Sequence, residues 1–98
     1  MSHKRNPERV YERHLCLFLE EVGSIQDSLD RKLYDIAINS YGQANIEVGE
    51  IERRILKGDL PADIYSERVS ELRQSLSHVF RNLIGAIPMA NHRGVAAA

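Results

Sequence analysis

The sequence has no tryptophan and no threonine, and a single cysteine among its 98 residues. One thiol excludes a disulfide within the chain, and Cys16, set among apolar neighbours, reads as a reduced thiol buried for structural reasons. Neither sign of charge dominates: 13 Lys and Arg oppose 14 Asp and Glu, a formal net charge of -1 with His neutral. That balance argues against non-specific binding of nucleic acid, which rests on surplus positive charge. The longest apolar run, Leu15 to Leu19, falls far short of the roughly 20 residues that cross a bilayer, so no membrane association is expected. No apolar stretch follows Lys4 and Arg5 to make a secretory leader, and the expected location is the cytoplasm. The six glycines are scattered, so no phosphate-cradling loop is formed.

Alternating β-branched segments around tight turns are missing as well, and the chain reads as helix throughout. Asn6-Pro7 is a helix start: Asn caps free amides, and Pro suits the first position, where an N–H would be unpaired anyway. Tyr11, Leu15, Phe18 and Val22 follow at helical spacing, and Gly23 reads as the stop of a helix over 7–22. Leu15, Leu17, Phe18 and Leu19 surround that helix with apolar side chains, which implies burial within the monomer or at a subunit interface.

The steps Ile25, Leu29, Leu33, Ala37, Tyr41, Ala44, Val48, Ile51 and Ile55 stay in phase and predict a second helix over 25–57. Gly42 and Gly49 are its weak points, and Gly58 closes it. After a turn at Asp59-Leu60-Pro61, a third helix over 62–86 carries Tyr65, Val69, Leu72, Leu76, Val79 and Leu83 in alternating steps of four and three, a coiled-coil seam. Phe80, Ile84 and Ile87 form a second apolar stripe on it.

The expected architecture is therefore all-α. A single domain over 1–87 has a short N-terminal helix and a long antiparallel hairpin of coiled-coil character, and residues 88–98 form a flexible tail. The hairpin core is Val48, Ile51, Ile55, Val69, Leu72, Leu76, Val79 and Leu83. An elongated chain of this size has little core for its surface, so dimerisation is expected to complete the bundle. Leu15, Leu17, Phe18, Leu19, Phe80, Ile84 and Ile87 are the candidate interaction or dimer surface.

No catalytic, cofactor-binding or metal-binding residue is expected, and the chain is not read as an enzyme. His14 and His78 have no partner ligand at helical spacing, and the Glu-x-x-His pairs of a di-iron bundle are absent. Glu20, Glu21, Glu47, Glu50 and Glu52 read as solvated helix faces. Surfaces rather than sites point to a non-enzymatic protein-protein interaction module, a homodimer with a protein partner. An alternative is a small DNA-binding repressor. Residues 37–58, with Gly42 as the turn, faintly resemble the helix-turn-helix of phage-repressor-type regulators, but Glu47 and Glu50 would face the phosphates and repel them.

Three features carry a more specific resemblance. A long helix follows Gly23 and contains Asp35-Ile36-Ala37-Ile38. A Leu-Pro turn follows at Leu60-Pro61. The last helix ends in Leu83-Ile84-Gly85-Ala86-Ile87-Pro88. Over residues 23–88 the chain resembles the TraM-type antiactivators of bacterial conjugal plasmids, and it differs from them in the helix before Gly23. The resemblance implies a small dimeric all-helical regulator of quorum sensing that binds a LuxR-type transcriptional activator and removes it from DNA.

Overall fold

The computed structural model describes residues 6–88, which form three helices and no strand: α1 (Pro7–Asp30), α2 (Tyr34–Lys57) and α3 (Ala62–Ala86). The architecture is all-α, and the packing is that of a helical bundle. None of these helices is long and apolar enough to cross a membrane. The tail expected from residue 88 onward lies, past Pro88, outside the described residues.

The start of α1 follows from its first two residues. Asn6 Oδ1 accepts a hydrogen bond from the Glu8 amide at 2.9 Å, and Pro7 takes the first helical position. Gly23 does not end this helix. An internal glycine costs only about 1 kcal/mol relative to alanine, and here Ile25 and Ser28 on the next turn are buried. The helix runs on to Asp30, so the boundary expected at 22–25 moves to 31–33. Gly42 and Gly49 likewise lie inside an uninterrupted α2.

Both chain reversals use one backbone device. At the first, the Lys32 amide donates to the Leu29 carbonyl at 3.0 Å and the Leu33 amide to the Ser28 carbonyl at 2.8 Å. At the second, the Gly58 amide donates to the Ile55 carbonyl at 3.1 Å and the Asp59 amide to the Arg54 carbonyl at 2.8 Å. This paired closure needs a left-handed residue just past the helix. Lys32 (φ 63°) and Gly58 (φ 88°) supply it.

Residue numbers fall along α2 as they rise along its neighbours. Ser24 meets Ser40 and His14 meets Glu47 on the α1 side. On the α3 side, Arg73 meets Glu52 and Tyr41 meets Phe80. The main core gathers Tyr11 and Phe18 of α1, Ala44, Val48 and Ile51 of α2, Leu60, and Tyr65, Val69, Leu72 and Leu76 of α3. A smaller cluster of Ile25, Ala37 and Leu83 fills the opposite end.

Where α1 and α3 begin, Tyr65 Oη donates to Glu8 Oε1 at 2.7 Å, and the Arg68 guanidinium lies over the rings of Tyr11 and Tyr65, 5.3 and 5.0 Å from their centroids. The Tyr65 hydroxyl, helped by Arg68, holds the Glu8 carboxyl below its usual range. Burial, reinforced by the Glu8 bond, pushes the Tyr65 hydroxyl up.

Candidate functional site

Burial bears on the expected core residues and on the expected surface residues differently. Val48, Ile51, Val69, Leu72, Leu76 and Leu83 are buried, and Ile55 and Val79 are half-buried against them. Three of the candidate surface residues belong to the chain's own packing. Phe18 is 2% exposed at the centre of the main core, which removes it from any interface. Leu15 is half-buried against the same core, and Ile87 packs on the Ile25/Ala37/Leu83 cluster. The heptad position explains this: Phe18 shares a helix face with Tyr11 and Ile25, both buried. Leu17, Leu19, Phe80 and Ile84 remain exposed.

Phe80 and Ile84 are part of a larger apolar face. The Phe80 ring packs on Tyr41 with centroids 5.5 Å apart. Ile84 lies one turn beyond Phe80, and Ile38 one turn before Tyr41. Along this contact α2 numbers fall as α3 numbers rise, from Glu52–Arg73 to Tyr41–Phe80, so both additions extend the face the same way. Ile38, Phe80 and Ile84 are 49%, 46% and 42% exposed. The face gives way, farther along, to an ion pair: Arg73 donates to Glu52 at 2.9 and 2.6 Å and to Asn45 Oδ1 at 2.6 Å. Those bonds from Arg73 lower the Glu52 carboxyl.

A polar cleft lies between α1 and α2. It encloses about 870 Å³ and is lined by Asn6, Arg9, Val10, Arg13, His14 and Leu17 of the first segment and by Glu47, Glu50 and Arg54 of α2. Arg54 Nε donates to His14 Nε2 at 3.3 Å, so that nitrogen is the acceptor. The ring proton therefore sits on Nδ1, which donates to Glu47 Oε1 at 2.8 Å. The chain Glu47–His14–Arg54 uses both ring nitrogens and is largely buried, with His14 and Glu47 side chains 14% and 18% exposed. The sequence showed His14 as isolated and Glu47 as solvated, because their partners lie 33 and 40 residues away and leave no local signal.

Two further expectations change. Cys16 is exposed, not buried: it points away from the Tyr11/Phe18/Ile25 face, its sulfur 3.9 Å from Glu20. Its apolar neighbours Leu17 and Leu19 are exposed with it. The helix-turn-helix alternative requires a turn at Gly42, and residues 37–57 lie in one continuous helix. His78 is exposed on α3. Among the described residues, no three His, Cys, Asp or Glu side chains converge as metal ligands would. No protein-family model, curated protein or solved structure matches the chain.

Proposed function

We propose that the chain is a non-enzymatic helical interaction module of the cytoplasm, pairing with a second copy and acting by binding another protein. The observation that carries this reading is the apolar face of Ile38, Tyr41, Phe80 and Ile84. It places three half-exposed large side chains side by side on two helices, where a water-facing surface would carry polar ones. In this reading α2 and α3 are the antiparallel hairpin, and the second copy lies along its apolar end as one helix pair on another. Leu17 and Leu19 offer a second, smaller contact on α1. The TraM-type resemblance over residues 23–88 supports a finer form: an antiactivator whose partner is a LuxR-type transcriptional activator, released from its DNA on binding.

Ile84→Asp tests the reading. An unpaired carboxylate in an interface costs several kcal/mol, whereas on a half-exposed monomer surface it is tolerated. The wild type is expected to sediment as a dimer, near twice 11.2 kDa, and the variant as a monomer with its helical circular dichroism retained. A wild type that is monomeric at micromolar concentration, or a variant that still dimerises, overturns it.

A further inference from the structure

We propose that the cleft between α1 and α2 binds an amphipathic organic anion, a carboxylate or phosphate group carrying an apolar chain. Its volume of about 870 Å³ lies within the roughly 300–1,000 Å³ typical of small-ligand sites. The charges in it are unevenly matched. Glu47 already holds His14, and Glu50 holds Arg53 at 3.2 Å. Arg54 is engaged by His14 and, at 3.8 Å, by Asp59. Arg9 and Arg13, one turn apart on the same flank of α1, have no carboxylate within ion-pair distance among the described residues. Asn6 opens the cleft at the first turn of α1, where the helix end itself favours negative charge.

Glu47 is thus hydrogen-bonded to His14 and Glu50 is ion-paired to Arg53, while the guanidinium-bearing Arg9 and Arg13 line the same cleft with no carboxylate partner among the described residues. Guanidinium forks suit carboxylate and phosphate oxygens. The apolar component has its own surface. Val10 and Leu17 line the cleft on the flank of α1 opposite Glu8, whose side faces α3. An anion seated between Arg9 and Arg13 places an attached chain against Val10 and Leu17, beside the hydrogen-bonded chain Glu47–His14–Arg54 that ties α1 to α2.

The test uses the whole chain and three probes followed by backbone amide shifts: decanoate below its micelle concentration, decyltrimethylammonium at the same concentration, and inorganic phosphate. Saturable shifts with decanoate, concentrated in residues 9–17 and 47–54, are expected, with phosphate binding more weakly and the cationic amphiphile leaving these residues unmoved. The double variant Arg9→Gln/Arg13→Gln alters two exposed side chains and should weaken decanoate by about tenfold or more, equivalent to about 1.4 kcal/mol. Leu17→Asn should weaken decanoate and leave phosphate unchanged. Equal binding of the cationic amphiphile, shifts centred on residues 80–87, phosphate binding as tightly as decanoate, or an unaltered affinity in the double variant overturns the proposal. Loss of decanoate binding in the double variant leaves the pairing of chains through Phe80 and Ile84 untouched, so the two readings fail separately.

Discussion

The chain turns back on itself twice with the same hydrogen-bond closure, but the residues in the two closures differ in every respect that matters energetically. At 58–60 the left-handed position is a glycine, which pays no steric penalty there, and the next apolar residue, Leu60, is 1% exposed in the main core. At 31–33 the left-handed position is Lys32, a conformation that costs an L-residue with a Cβ about 1–2 kcal/mol. Its following apolar residue, Leu33, is 42% exposed. One reversal is anchored by side-chain burial and an unstrained backbone. The other is imposed on a lysine by the helices it joins. Backbone geometry alone is therefore a poor guide to what a turn contributes.

The largest expected effect removes the anchor. Leu60→Ala should lower unfolding free energy by about 2–5 kcal/mol, the range for emptying a buried leucine site. Leu33→Ala should change it by about 0.5 kcal/mol or less, as surface substitutions do. Urea denaturation with unchanged slope would measure both, and similar losses would erase the contrast.

Next comes the left-handed position. Gly58→Ala meets no atom within 4 Å of the added carbon, so any loss, expected at about 1 kcal/mol, is backbone strain alone. Lys32→Gly runs the other way and should raise the thermal midpoint, with a gain of about 0.5–1 kcal/mol after the entropy of the more flexible unfolded chain is counted. A destabilised Lys32→Gly would show that the lysine side chain, not the helix ends, holds the first turn.

The smallest effect concerns pH. Because Arg73 lowers the folded-state pKa of Glu52 below the ordinary 4.5, the Glu52–Arg73 tie on the α2–α3 side stabilises the fold at neutral pH. It loses that contribution as pH falls through the carboxylate range. The Ser24–Ser40 bond on the α1–α2 side carries no charge. Glu52→Gln should therefore flatten the acid limb of stability against pH, and Ser40→Ala should leave its shape unchanged. An acid limb unaltered in Glu52→Gln would remove the distinction.

Sequence reasoning reached the second reversal and missed the first for a physical reason. Asn6-Pro7, Gly58 and Leu60-Pro61 act through their own backbone chemistry, so the residues announce the structure locally. At the first reversal the apolar steps Ile25, Leu29, Leu33 and Ala37 stay in phase across the break, and only the polar Asp30-Arg31-Lys32 interrupts them. A heptad pattern reports which face is buried, and it is blind to whether the helix is continuous. The α3 seam was legible because Tyr65, Val69, Leu72, Leu76 and Leu83 lie on one face of the helix and are all buried. The cleft was not, since Glu47, His14 and Arg54 come together only once α1 and α2 are packed. The apolar run at Leu15 to Leu19 was legible as composition but not as orientation: Phe18 enters the core while Leu17 and Leu19 face water.

The outward-facing thiol on α1 has a practical bearing on all of this. With one cysteine in the chain and that cysteine accessible, any disulfide must join two molecules, so air oxidation would counterfeit a dimer on a non-reducing gel. Kept reduced, the same atom is a unique attachment point: a nitroxide placed on Cys16 adds nothing to the core and converts the separation of paired chains into a single spectroscopic distance.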